Sequence, residues 1–264
     1  MRSFYISLVS EFYKSRKTLA FWAAILLPLI VCSLISFGFF TNSEKILAYH
    51  YPPMLLWARY CSASLDSMGM LILPFYVIFM AFSVNNIEHK NDTWKTLFAQ
   101  PLHKFSIYAA KYVYAVLLVA ICLFLFAGLT FTYGHILQVL VPQYNLDQYN
   151  PSKLLINSYS KLFLSSLGIL SIQFLFSVLW SDFLKPMGIG FVGTIMGIIT
   201  ASLQWKYAYL IPYSLPALAL RISKVKKGDL FDFPIFTSEI WTSLIYATIL
   251  FILGYFIVSR KSIK

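Results

Sequence analysis

Charge is absent from six long stretches of the chain: 18–43, 67–87, 112–146, 162–181, 186–205 and 240–259. Each reaches or exceeds the roughly 18 to 20 residues that cross a hydrocarbon core about 30 Å thick. Inside lipid, backbone polar groups have to be paired within their own segment, so each stretch predicts a helix. The polar–apolar alternation of barrel strands is not seen. The predicted spans are 19–40, 68–85, 108–133, 162–180, 187–204 and 241–258. A further apolar run, 207–220, has only 14 residues and carries Pro212 and Pro216. It is too short and too broken to cross, and it predicts a re-entrant or interfacial segment within an outer region 205–240. Near the N-terminus, Phe4, Tyr5, Leu8, Val9, Phe12 and Tyr13 recur at helical spacing, with Glu11, Lys14 and Lys17 largely opposite. That pattern predicts an interfacial helix within 1–18, lying along the inner leaflet. The fold class is an all-α polytopic membrane protein with six transmembrane helices, and 1–264 reads as one membrane domain.

Composition agrees. Hydrophobic residues make up 59% of the chain and charged residues 12%, against roughly 25% charged in soluble domains. A soluble fold of this size has no interior large enough for that much apolar surface. The net charge of +11 sits in short pieces between apolar runs. It therefore points to topology and anionic lipid, and no nucleic acid partner is expected. With the N-terminus inside, the inner segments 1–18, 86–107, 181–186 and 259–264 hold eleven Lys and Arg in about 52 residues; the outer loops hold nine in about 91. The density predicts both termini on the cytoplasmic side, although 224–227, with three lysines, then lies outside. Lys111 falls at the inner edge of the third span, where it can snorkel. Cys32, Cys61 and Cys122 are too few and too scattered for a disulfide framework or a zinc site, and Cys61 is expected outside, just before the second span. The first apolar run starts only after Arg16-Lys17 and is too long for a signal h-region, so it is expected to stay as a span.

Motifs for on-chain chemistry are missing. There is no G-x-x-x-x-G-K-[ST], so no P-loop; no H-E-x-x-H; and His50, His89, His103 and His135 have no metal-ligand spacing. No G-x-S-x-G elbow occurs. No span centre carries a charge, which argues against a proton-driven carrier and against a pore with a charged side-chain ring. An energised transporter would need its energy from another chain. Ser166, Gln173 and Ser177 share one face of the fourth span, either lining a translocation path or bonding helices together. Gly193, Gly197 and Ala201 form a small-residue ridge on the fifth span, suited to packing within the chain or to a dimer face. Pro28 and Pro74 can kink the first two spans. An alternative reading is a membrane-embedded lipid-modifying enzyme, for which Asp229, Asp232 and Glu239 are the available acidic cluster. A non-transporting scaffold or sensor subunit is another.

The longest inner loop, 85–111, is not a plain polar linker. Trp94, Leu97 and Phe98 form an apolar stripe beside Lys90, Asp92 and Lys95, with Asp92 or Thr93 placed to cap a helix and Pro101 to end it. Such a short amphipathic helix can lie on lipid or dock into a groove of a soluble partner. The run Glu88, Thr93, Trp94, Lys95, Leu97, Pro101 and Lys111 resembles the signature loop of ABC-2 type permeases, with Asn91-Asp92 standing where the family has a Gly-containing pair. Leu8, Glu11, Lys14, Arg16 and Pro28 resemble that family's N-terminal approach to the first span. The stretch 211–220 is similar to the proline-bearing outer segment of small permeases of lantibiotic-immunity and bacitracin-resistance exporters. The resemblance implies a permease subunit in the cell inner (cytoplasmic) membrane, pairing as a homo- or heterodimer with a second permease and with ATP-binding subunits. ATP and Mg²⁺ would be held by those partners, and no cofactor or metal is expected here. It further implies that the loop 86–106 is the coupling loop, with Glu88, Trp94, Lys95, Leu97 and Pro101 engaging the ATPase and Asp182 and Lys185 making a second inner contact. The cargo it suggests is hydrophobic or amphipathic, such as an antimicrobial peptide.

Overall fold

The computed structural model describes residues 2–91, 93–220 and 234–260 of the chain. The lysine cluster 224–227, Asp229 and Asp232 lie outside the described residues, as do Asp92 and the side chains of Lys95 and Phe98. Helix α1 runs Arg2–Ser15, α2 Leu19–Thr41, α3 Ser43–Leu47, α4 Pro53–Ser67 and α5 Leu73–Lys90. A short α6, Trp94–Ala99, leads to α7, Lys104–Leu140, then α8, Ser152–Leu179, and α9, Leu184–Ser202. The five-residue α10, Leu215–Ala219, precedes α11, Ser238–Arg260. Six helical stretches among the described residues are long and apolar enough to cross a membrane: Leu19–Thr41, Pro53–Lys90, Lys104–Leu140, Ser152–Leu179, Leu184–Ser202 and Ser238–Arg260.

The second, third and fourth spans begin well before their uncharged windows, the third at Lys104. The second starts at Pro53, because Arg59 and Asp66 ride on exposed faces of a helix whose other face buries Trp57, Tyr60 and Leu65. Proline at a helix start lacks only an N–H that would have had no intrahelical partner anyway. Between α4 and α5 the chain makes one π-helical turn, Met68–Ile72, in which the Leu73 N–H donates to the Met68 carbonyl. Pro74 follows directly and has no N–H to give. The wider turn is where the ladder adjusts to that missing donor. The fourth span starts at Ser152 with Lys153 and Lys161 on the helix.

Helix α8 is the central pillar, contacting α5, α7 and α11, and α2 lies along α7. Its buried face is lined with serines and a glycine, which lets neighbours approach closely. Ser243 of α11 shows how: its hydroxyl donates to the Leu164 carbonyl at 2.8 Å and accepts from the Gly168 N–H at 2.9 Å.

Residues 208–219 do not form a span. They make two 3-10 turns and α10, with Pro212 opening the second turn and Pro216 in the first turn of α10, and fold back against the side of α9. The ridge Gly193–Gly197 receives them. A Cβ on Gly197 would stand 2.6 Å from the Tyr213 carbonyl, and one on Gly193 would stand 2.6 Å from its ring. These glycines therefore serve packing within the chain.

Helix α1 packs on α7 with part of its polar side turned toward the bundle. It buries Ser7, Glu11 and Ser15 and exposes Tyr5, Ile6, Phe12 and Tyr13. Glu11 thus faces the protein and not the solvent, and the aromatic side faces outward. Cys61 likewise is buried inside α4, not in an outer loop.

Candidate functional site

Helices α1, α5 and α7 converge at the end of the bundle that the charge pattern places on the cytoplasmic side. Two acids and two bases meet there in a closed ring. Lys14 Nζ donates to Glu11 Oε1 at 2.6 Å and to Glu88 Oε1 at 2.8 Å. Lys111 Nζ donates to Glu11 Oε2 at 3.0 Å and to Glu88 Oε2 at 2.6 Å. Every carboxylate oxygen accepts one ammonium. Lys111 spends its third proton on the Val84 carbonyl at 3.2 Å, so all three of its donors are used.

The ring is buried. Side-chain exposure is 1% for Lys111, 2% for Glu88 and 4% for Glu11; Lys14, at 28%, forms the rim. A charge taken out of water is tolerated only when paired and hydrogen-bonded. Here net neutrality and complete hydrogen bonding meet both conditions. Burial of Lys14 works to lower its pKa, but the Glu11 and Glu88 carboxylates outweigh it and raise the value above 10.5. Lys111 therefore does not snorkel; it is an internal pillar of the ring.

Local sequence explains the approach of the elements. The Ser15 hydroxyl donates to the Glu11 carbonyl, and Thr18 Oγ1 donates to the Ser15 carbonyl at 2.6 Å while accepting from the Phe21 N–H at 3.4 Å. That pair of bonds closes α1 and caps α2 within three residues. Phe12 meets Tyr114 of α7 edge to face, with centroids 4.8 Å apart.

The short helix α6 lies next to this ring. The Thr93 N–H donates to the Glu88 carbonyl at 3.0 Å, turning the chain, and Thr93 takes the N-cap position without a side-chain capping bond. Gln100 is extended, as a residue before proline must be, and the helix stops. The Trp94 ring lies 5.7 Å from Lys111 Nζ, so the ring and α6 share one cation. Trp94 Nε1 also donates to His89 Nδ1 at 3.2 Å, and His89 Nε2 meets the Ser177 carbonyl of α8 at 2.9 Å.

The structure sorts the residues singled out from sequence. Trp94 is anchored inward, Leu97 is half-buried, and Pro101 is exposed. Glu88 is not at the surface; a side chain this buried cannot touch a docking subunit, so any part it has in coupling passes through Lys111 and Lys14. Asp182 and Lys185 are exposed at the start of α9, where Asp182 Oδ1 accepts from the Leu184 N–H at 3.0 Å. Ser166, Gln173 and Ser177 are fully buried. Asn85 Nδ2 donates to Ser177 Oγ at 2.7 Å, Gln173 Nε2 donates to the Tyr213 hydroxyl at 2.5 Å, and Ser166 donates to the Phe163 carbonyl at 2.8 Å. In this conformation Gln173 and Ser177 join α8 to neighbouring elements, while Ser166 bonds back to its own helix.

Three features escaped the sequence reading. One is the ring itself, whose Glu11 and Lys111 look like interfacial charges. Its signal was balance: two acids and two bases at the same depth on three elements. Another is His89, which is indistinguishable in sequence from an ordinary interface histidine. The third is a hydroxyl cluster in the half of the bundle away from the ring, where Tyr159 OH lies 3.0 Å from Ser64 Oγ and 3.2 Å from Thr130 Oγ1, tying α4, α7 and α8.

No curated protein and no solved structure matches the chain. A family model described as ABC-2 family transporter protein matches residues 7–197, from α1 into α9, and so takes in the ring and α6. With well over half its length matched and six membrane-crossing helices, the chain belongs to the ABC-2 family of transporter proteins as a multi-pass membrane component.

Proposed function

We propose that this chain is the permease subunit of an ATP-driven exporter in the cytoplasmic membrane, with both termini inside. Two permease chains, identical or similar, pair with two ATP-binding subunits, which hold ATP and Mg²⁺. Helix α6 is the coupling helix. Its exposed side, with Pro101 at its end, faces the ATP-binding subunit, and the α8–α9 turn with Asp182 and Lys185 offers a second contact.

The observation that carries this reading is the buried ring beside α6. A charge cluster that fixes α1, α5 and α7 as one unit, and shares Lys111 with Trp94, is suited to pass a push on α6 into three elements at once. Closure of the ATP-binding subunits would move that unit. Cargo must bind the two resulting states differently for transport to follow. Gln173 and Ser177 become path residues only in the state where Tyr213 and Asn85 release them, and Ser166 only where the helices around α8 part. The cargo is a hydrophobic or amphipathic molecule, an antimicrobial peptide being one such, in keeping with the neutral span centres and 18% aromatic content.

Gentle affinity purification tests the assembly. A soluble subunit with a P-loop is expected at one per permease chain, and Trp94→Asp with Leu97→Asp is expected to release it. A chain that purifies alone under several mild detergents would count against the reading.

A further inference from the structure

His89 stands between two groups whose hydrogen-bonding roles are fixed. The Ser177 carbonyl can only accept, so Nε2, 2.9 Å away, carries the proton. The Trp94 indole N–H can only donate, so Nδ1, 3.2 Å away, carries none. The two contacts together demand one neutral tautomer, with the proton on Nε2. Ring packing supports the pair, with His89 and Trp94 centroids 5.5 Å apart. The same Ser177 also accepts from Asn85 through its hydroxyl, so the inner end of α8 is held to α5 at two successive turns.

We infer that His89 is a positioning residue that latches α6 to α8 through Trp94, and that the latch opens when the imidazole takes a second proton. This inference rests on the coupling role proposed for α6. Protonation at Nδ1 puts two N–H donors face to face and breaks the bond through which the indole reaches His89 and, beyond it, α8. Imidazoles titrate near neutrality, so the change falls within reach of ordinary conditions. The charged groups around the latch are Lys111 of α7, on the Trp94 ring, and Glu88 and Lys90 of α5. Glu11 and Lys14 of α1 lie behind Lys111, and Asp182 and Lys185 sit at the α8–α9 turn. Asp92 and Lys95 are near in sequence. Helix α8 presents the Ser177 carbonyl to His89 and the Ser177 hydroxyl to Asn85. With Trp94 released, α6 would keep its contact with Lys111 but lose its tie to the pillar of the bundle.

The test has two arms. In the first, the chain alone, carrying ¹⁵N-labelled histidine, is studied in lipid nanodiscs at about pH 8. His89→Gln assigns the signal by its loss. The expected spectrum shows Nε2 protonated and Nδ1 bare, with the Nδ1 resonance shifted in Trp94→Phe. A proton on Nδ1, or no response to Trp94→Phe, overturns the latch. In the second arm, ATP hydrolysis by the purified complex is divided by that of its ATP-binding subunit alone. The ratio is expected to fall several-fold between about pH 8 and about pH 5.5 in the native chain. His89→Gln supplies an acceptor and a donor in similar places but does not titrate; it should hold the pH 8 ratio across that range. His89→Ala should lower the ratio roughly fivefold at both values, because it removes the part-buried bond that holds Trp94. A His89→Gln profile that follows the native one, or a His89→Ala chain with full coupling, overturns the inference. Absence of any ATP-binding subunit would sink the proposed function, while the first arm would still decide the latch.

Discussion

Replacing Glu88 by Gln isolates the charge of the ring with little change of volume. The native ring is neutral and complete. The variant leaves Lys111, with 1% exposure, facing an amide where it had a carboxylate at 2.6 Å, and leaves the cluster with a net positive charge. Removing one partner of a buried ion pair costs roughly 3–5 kcal/mol, because the remaining charge stays buried. Solvent screening does not reduce this figure at Glu88 or Lys111. At Lys14, whose side chain is 28% exposed, water can reach the vacated rim and solvate the two carboxylates, so Lys14→Met should cost less, roughly 1–3 kcal/mol. Glu88→Gln is therefore expected to destabilise the chain by about 3 kcal/mol or more. The double variant Glu88→Gln/Lys111→Met removes one charge of each sign and keeps the Lys14–Glu11 pair at 2.6 Å. Its cost should fall short of the sum of the two single variants by at least about 1 kcal/mol. Reversible unfolding in mixed micelles, followed by tryptophan fluorescence, measures all four proteins. A Glu88→Gln cost below about 1 kcal/mol, or strict additivity in the cycle, would refute the ring as a buried electrostatic unit.

Other expectations follow from the same geometry. Gly197→Ala places a methyl against the Tyr213 backbone and should cost roughly 1–3 kcal/mol in the same assay, whereas Gly188→Ala, which meets open space, should be near neutral. Cys61 should resist maleimide in the folded chain even after lysis and react only on unfolding; reaction in the native state would contradict its burial. For the orientation, Gln143→Cys should label in intact cells and Lys185→Cys only after permeabilisation, and the reverse pattern would invert the topology. Because the folded pKa of Lys14 is raised above 10.5, its contribution is complete below 10.5 and is lost only as pH rises through the higher folded value. Unfolding midpoints of the native chain and Lys14→Met should therefore converge only above pH 10.5, and convergence below it would remove the basis for that shift.

The spans were legible because lipid imposes a single rule, that charge stays out of the hydrocarbon. The same rule hid their ends. Arg59, Asp66, Lys153 and Lys161 look like loop residues by hydropathy, yet they ride on helices that extend past the apolar windows and are held there by packing. The broken character of 207–220 was readable from its two prolines and its length. Its seat on Gly193 and Gly197 was not, because a small-residue ridge fits a neighbour in the chain as well as one outside it. The ring was least legible. Glu11 and Glu88 are 77 residues apart in sequence, and no local pattern tells a carboxylate aimed at a buried lysine from one aimed at water. In α1 the helical spacing was legible, but not that Glu11 and Lys14 turn toward the bundle instead of toward water. Outside lipid an aromatic stripe seeks the protein; at a membrane surface it can turn outward while Ser7, Glu11 and Ser15 pack inward.

The central claim is that α6 receives force from a separate ATP-binding chain. A photo-crosslinker on Thr96→Cys, at an exposed position of α6, tests it directly in the native host membrane. The account predicts a crosslink to a P-loop subunit from Thr96→Cys and none from Gln143→Cys in the 140–152 loop. No P-loop subunit captured from Thr96→Cys, or one captured from Gln143→Cys, would contradict it.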